Sequence, residues 1–259
     1  MEISNIYAWK DRTQKRGNSP LLPQNIRGLI IGKSNCGKTT LLLNLLLQPN
    51  WLDYNHLYVF GKSLHQQEYK VLKKGFENGL SKEQISNLFE NQAKLNMDPI
   101  TAIDTYIHDG GISRGSIKTD FYNNCSSEIP DPTELNEQEN NLLILDDCLL
   151  EKQTKAEAYY TRGRHNNCDT FYISQNYFRL PRQTIRENAN LIILFPQDAK
   201  NINHIHADHC TDIDIKEFRG FCQGVWNRER YNFVTIDLTS SKFEGKYREN
   251  FDRFYFPDT

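Results

Sequence analysis

The chain has 259 residues, 38% of them hydrophobic and 12% aromatic, enough apolar surface for a sizeable core, which excludes global disorder. Its 31 Lys and Arg stand against 33 Asp and Glu, a formal net charge of -2, which excludes a protein that coats nucleic acid by bulk electrostatics and leaves only a local patch for such contacts. The opening MEISNIYAWKDRTQKRG lacks the apolar stretch of a secretory signal, and no run reaches the ~18 apolar residues of a membrane span, so a soluble intracellular protein without a membrane span is expected.

Residues 1–24 read as an N-terminal arm in which Lys10, Arg12, Lys15 and Arg16 lie close together. The first predicted strand, Arg27 to Ile31 (RGLII), leads into Gly32-Lys33-Ser34-Asn35-Cys36-Gly37-Lys38-Thr39 and then a predicted helix from Lys38 to Leu47. The loop fits GxxxxGK[ST] at every fixed position and has the strand-before, helix-after context that the motif needs. Its backbone N–H groups and the helix N-terminus form a nest for phosphate oxygens, so residues 32 to 40, ending at Thr40, are expected to hold ATP. Gly32 and Gly37 supply clearance and torsions that side chains would block. Lys38 is expected to reach the β- and γ-phosphates and the Thr39 hydroxyl to bind Mg²⁺. Cys36 is read as a tolerated loop residue.

A strand follows at Leu57 to Phe60, then helices from Gln66 to Phe76 and from Ser81 to Gln92, with Ser81 as N-cap. Residues 76–140 read as a helical and acidic insertion. Its last part, EIPDPTELNEQE, has five acidic residues and no basic one and reads as a solvated, mobile connection. The strand Leu142 to Leu145 then ends in two acids. Asp146 is expected to hold Mg²⁺, and Asp147 to orient or deprotonate the attacking water, which points to hydrolysis.

Beyond a helix from Thr154 to Arg162, the strand Thr170 to Ile173 ends at Ser174-Gln175-Asn176, where Gln175 reads either as a γ-phosphate sensor, bonding the phosphate or the attacking water, or as a capping amide in a turn. Arg162 and Arg164, in the preceding loop, read either as a solvated basic turn or as an arginine finger for a neighbour's site. A helix from Pro181 to Ala189 would set Arg182 and Arg186 on one face beside Arg179. With the N-terminal basic stretch, these are the two candidate DNA surfaces, each also readable as a solvated face. A strand from Leu191 to Phe195 and a helix from Asp198 to His209 follow. In that helix His204 points away from His206, His209 and Cys210, so surface or packed histidines are expected rather than a metal cluster. Tyr231 to Leu238 alternates and is expected as an edge strand, with Phe251, Phe254, Tyr255 and Phe256 packing on the domain or a neighbouring subunit. The six cysteines show no CxxC pair and read as reduced, mostly buried thiols.

Short continuous apolar runs alternating with helical patterns predict an α/β fold with a parallel sheet, residues 25–259 forming one domain with a C-terminal extension from about 197. The segments GKSNCGKTT, LLILDDC, TRGRHNN and FYISQNYFRLPRQ, in this order, resemble the FtsK–HerA superfamily of P-loop ATPases. More narrowly they are similar to the poxvirus A32-like genome-packaging ATPases of large DNA viruses, virophages and Polinton-type elements, over about Asn25 to Pro196. The resemblance implies a RecA-like, mostly parallel sheet with helices on both faces and the order 5-1-4-3-2, numbering the five apolar runs in chain order. It also implies Mg²⁺-dependent ATP hydrolysis by a homo-oligomeric ring, a hexamer or pentamer. Such a ring drives double-stranded DNA, without reading its sequence, into a preformed capsid whose vertex or capsid protein it docks on, at the viral assembly site in the host cell or in the virion. Asp147 stands where many relatives have Glu, which shortens its reach. The other readings are a segregation, conjugation or repair motor of the same superfamily, a nucleotide kinase, and a nucleotide-binding capsid or scaffold protein without turnover. Asp147 and Gln175 discriminate between turnover and mere binding.

Overall fold

The computed structural model describes residues 16–95, 98–108, 115–124 and 126–257. Six parallel strands carry the fold: Arg27–Ile31 (β1), His56–Gly61 (β2), Lys118–Tyr122 (β3), Asn141–Asp146 (β4), Cys168–Ser174 (β5) and Leu191–Leu194 (β6). Val234–Asp237 (β7), Tyr247–Glu249 (β8) and Arg253–Tyr255 (β9) continue the sheet antiparallel, giving the order β3-β2-β4-β5-β1-β6-β7-β8-β9. Within it the strands of the five continuous apolar runs take the implied places, β6-β1-β5-β4-β2, and β3 on one side and β7, β8 and β9 on the other extend both edges.

The continuous apolar runs reflect burial on both faces. Every residue of β4 is buried, with Leu143 and Leu145 in one cluster and Leu142 and Ile144 in the other. On one face lie Lys38–Leu47 (α1), Gln67–Glu77 (α2), Lys82–Leu95 (α3) and Pro99–His108 (α4), contributing Leu42, Tyr69, Ile85 and Ile103 among others. Thr154–Arg162 (α5), Ala199–His209 (α6) and Ile215–Arg228 (α7) cover the other with Tyr160, Ile205 and Phe218. The start of α3 is a capping box: Ser81 Oγ accepts from Gln84 N at 3.2 Å while Gln84 Oε1 accepts from Ser81 N at 2.7 Å. In α7, Phe218, Cys222 and Val225 fall at i, i+4 and i+7 and bury one stripe.

Four expectations are corrected. The strand predicted at the sheet edge is β7, which lies inside the sheet between β6 and β8. Its alternating polar residues, Thr235 and Asp237, are buried, and the Arg248 guanidinium bonds Asp237 at 2.6 Å, so a charge pair replaces the expected water. Between Pro181 and Ala189 there is a single π-type turn, Arg182–Arg186, rather than an α-helix, with Ile185 and Arg186 both buried. The acidic connection is anchored: Ile129 and Leu135 are buried, Pro130 O accepts from Tyr159 Oη at 3.1 Å, and Glu139 pairs with Lys118 and His56. Finally, Cys36, Cys168, Cys210 and Cys222 are free thiols, the last three buried, but Cys148 is disulfide-bonded, against the expectation of reduced thiols throughout.

Candidate nucleotide-binding site

All six parallel strands end at one edge of the sheet, and the loops there enclose a cleft of about 600 Å³. The loop after β1 forms one wall. Gly32 N donates to Ser174 O at 3.1 Å, and a Cβ at Gly32 would stand 2.5 Å from Cys36 Sγ and 2.7 Å from Phe195 Cβ, so no side chain fits. Gly37 caps α1 with φ +105°, a left-handed torsion that favours glycine, and Asn35 also turns left-handed at φ +59°. The loop thus turns its backbone toward the cleft at the positive end of α1. Lys38 Nζ lies across it, donating to Gly32 O and Lys33 O, both at 2.7 Å. Burial holds its pKa below the ordinary lysine range, while Cys36, Asp146 and Asp147 pull it back up.

The acids form the facing wall. Asp146, at the end of β4, is 7% exposed, and Tyr69 Oη donates to its Oδ2 at 2.6 Å. Burial raises the Asp146 carboxyl above its usual range; the Tyr69 bond opposes this and Asp147 adds to it. Asp147 is exposed and left-handed, φ +56°, its N–H donating to Ile173 O at 3.3 Å. This torsion, which aspartate tolerates, turns its side chain off the end of the strand. Gln175 reaches the cleft from β5, and its Oε1 accepts from Ser34 Oγ at 3.1 Å, joining the phosphate loop to the neighbouring strand end. Thr39, Thr40, Asp146, Asp147 and Gln175 all line the one cleft with Lys38. Thr39 and Asp146 offer hydroxyl and carboxylate oxygens, the hard donors that suit Mg²⁺, which keeps several of its waters.

The sequence reading misses part of this lining. Ser63 and Gln66 enter from the β2–α2 connection, Glu68 from the first turn of α2, and Arg230, Tyr231 and Phe233 from the approach to β7. Tyr69, too, is indistinguishable in the sequence from the other apolar residues of its helix, and its contact to Asp146 is purely tertiary.

Other expected residues lie elsewhere. Arg162 is mostly exposed and pairs with Asp131 at 3.2 Å, and Arg164 is exposed and close enough to Arg27 to lower that guanidinium's pKa, after burial. Both precede β5 and so sit at the sheet edge opposite the cleft, separated from Gln175 by a seven-residue strand of roughly 20 Å. Neither lines this chain's own cleft. Of the N-terminal basic group, Lys10, Arg12 and Lys15 fall outside the described residues. Arg16 is withdrawn from solvent, bonded to buried Asp169 at 2.7 Å and to Asn141 O at 3.1 Å. Arg186 is also buried, 3.4 Å from Asp208, which bonds Tyr177 Oη and approaches Arg182. These two arginines are therefore corrected as DNA contacts, since each is itself buried against a carboxylate, Asp169 or the largely shielded Asp208. Arg179 stays exposed beside Phe178, itself 48% exposed, stacked on His204 at 4.3 Å with Lys200 Nζ 5.2 Å from its ring. The histidines diverge: His206 Nε2 bonds Ile213 O at 2.9 Å, His209 packs edge-on to Tyr177, and Cys210 is buried.

No protein-family model and no curated protein matches the chain. Solved structures do. The DNA-packaging ATPase B204 from Sulfolobus Turreted Icosahedral Virus is similar with a TM-score of 0.50 at 14% identity, over 87% of this chain and 98% of that one. The genome packaging NTPase B204 from Sulfolobus turreted icosahedral virus 2, in complex with AMP, gives 0.49 at 12% identity over 87% and 96%. VirB4 of Thermoanaerobacter pseudethanolicus gives 0.43 at 10% identity over 90% and 89%. The first of these likenesses establishes a shared fold, the mostly parallel P-loop sheet that the motifs imply.

Proposed function

We propose that this chain is an ATP-hydrolysing motor that translocates double-stranded DNA into a preformed capsid, working as a homo-oligomeric ring docked on a capsid vertex at the viral assembly site. The observation that carries the reading is the gathering of Lys38, Thr39, Asp146, Asp147 and Gln175, from three strand ends, around one cleft. Phosphoryl transfer asks for positioning and charge compensation more than covalent chemistry, and these side chains supply both. Lys38 exchanges the carbonyls of Gly32 and Lys33 for the β- and γ-phosphates. Thr39 and Asp146 hold Mg²⁺, which when bound neutralises charge on the same phosphates. Asp147, exposed at the strand end, orients the attacking water and accepts its proton. Gln175 senses the γ-phosphate, and its bond to Ser34 carries that state to the phosphate loop.

The opposed placement of Arg162 and Arg164 supports a finger acting in trans. A head-to-tail ring turns one edge of each subunit toward the other edge of its neighbour, so arginines remote from their own cleft can complete the next one. Arg179 and Lys200, flanking Phe178 directly after the sensor strand, are the described cations best placed to grip a phosphate backbone without reading sequence. Local charge suits a motor that must release DNA at every step.

Phosphate release measured with and without duplex DNA tests the motor, with Lys38→Ala as the inactive control. Turnover stimulated by duplex is expected. A protein that binds ATP but never hydrolyses it, with or without DNA, overturns the reading in favour of a nucleotide-binding capsid or scaffold component. Mixing Lys38→Ala with Arg162→Ala or Arg164→Ala chains should restore part of the activity if the finger acts in trans.

A further inference from the structure

The cleft has two chemically different ends. One is acidic, with Glu68, Asp146 and Asp147. The other is aromatic and basic, with Arg230, Tyr231 and Phe233 from the approach to β7, two strands beyond β1 in the sheet. Between them lies the phosphate loop. Tyr231 sits directly on it: a Cβ at Gly37 would be 3.1 Å from Tyr231 Cδ1. Tyr231 is nevertheless 52% exposed as a residue, and Arg230 Cζ stands 4.7 Å from its ring centroid. Among the described residues no carboxylate pairs with Arg230, although its neighbours Arg228 and Arg253 both bond Glu249.

The backbone of Tyr231 is left-handed, φ +74°, where a bulky aromatic residue is a genuine outlier. The residues that follow fix it there. Asn232 Nδ2 donates to Val225 O and Glu249 Oε1, both at 3.3 Å, and Asn250 Oδ1 accepts from Phe233 N at 3.2 Å. Strain of this kind persists only where surrounding structure enforces it, and it collects at binding sites. Here it holds Tyr231 in the lining of the cleft, against the phosphate loop.

We propose that Tyr231 and Arg230 form the nucleobase platform of the site: the base stacks on the Tyr231 ring, and the Arg230 guanidinium lies against the stacked rings. This deepens the nucleotide reading above and rests on it. Recognition through a ring face is tolerant of base identity, because every base has one, and favours purines through their larger area. The subsite therefore adds affinity for nucleotides over bare polyphosphate, with little choice between adenine and guanine.

Equilibrium titration of the full chain with ADP, GDP, UDP and inorganic pyrophosphate, each with Mg²⁺, tests this. ADP and GDP should bind within about threefold of each other, UDP several-fold more weakly, and pyrophosphate at least tenfold more weakly than ADP. Tyr231→Ala should weaken ADP about tenfold, equivalent to about 1.4 kcal/mol, while leaving pyrophosphate unchanged, and Tyr231→Phe should keep ADP within twofold of the parent. Equal losses of ADP and pyrophosphate in Tyr231→Ala would show a merely structural role, and unaltered ADP binding would show no role; either overturns the platform while the nucleotide site stands. If the parent chain binds neither ADP nor pyrophosphate, the nucleotide reading falls and takes the platform with it.

Discussion

Tyr69 and Asp146, 77 positions apart in sequence, share a buried hydrogen bond of 2.6 Å that ties α2 to the end of β4. The phenol fixes the orientation of the carboxylate proposed to hold the metal, so Tyr69 is a positioning residue. Groups of this kind, one step removed from a metal, typically matter by 10- to 100-fold. For Tyr69→Phe, hydrolysis followed as a function of Mg²⁺ concentration should show the half-saturating concentration raised about tenfold, with much of the rate recovered at high Mg²⁺. An unchanged Mg²⁺ curve would remove the role.

Asp146 itself opposes stability. Burial raises its folded-state pKa above the unfolded value, so the folded chain is favoured when the group is protonated, and that contribution is lost as pH rises through the folded pKa. At neutral pH the charge is therefore a cost retained for function. Asp146→Asn keeps an oxygen that can accept from Tyr69 and removes the charge. Thermal melts should show Tm raised by roughly 2–4 °C, about 1 kcal/mol, while ATP turnover disappears.

Gly61, at the end of β2, has a steric function. A Cβ there would stand 2.8 Å from Asp146 O and 3.2 Å from Asp146 Cβ, the first a distance that real contacts do not reach. Since the nearer obstacle is backbone, Gly61→Ala must push β4 and its acid aside. A loss of about 1–3 kcal/mol in denaturant melts and a fall of at least tenfold in kcat are expected.

His209 gives the fold an acid-sensitive element on the opposite face of the sheet from α1. Burial takes its pKa from 6.5 to about 4, helped by Lys246 and Arg186 and opposed by Asp208, and its Nε2 has no hydrogen-bond partner. Between those values the unfolded chain binds the extra proton, so this contribution to stability is full above pH 6.5 and is lost on acidification toward pH 4. Unfolding titrations at pH 7, 5.5 and 4.5 should show roughly 2 kcal/mol less acid sensitivity in His209→Phe than in the parent chain.

What the sequence made legible was local. Strand, loop and helix from Arg27 to Leu47 follow each other without interruption, and the paired acids announce themselves by ending the apolar run LLIL. Contacts made across the fold were hidden. The alternation of β7 reads as a wet edge until Arg248 is seen beside Asp237, and Arg16 and Arg186 read as free cations until Asp169 and Asp208 appear opposite them. Tyr231 illustrates the same limit: its value lies in a backbone torsion and a neighbour at Gly37, neither of which a one-dimensional pattern encodes.

The seven residues of β5 run from the loop of Arg162 and Arg164 to Gln175, hydrogen-bonded on both sides to β1 and β4 and buried along their whole length. A central strand held this way is a fixed spacer about 20 Å long between its two ends. In a ring of such subunits its two tips would touch two different ATP molecules, the neighbour's through an arginine and its own through the glutamine. On that proposal, a change at one phosphate would reach the next through the strand itself.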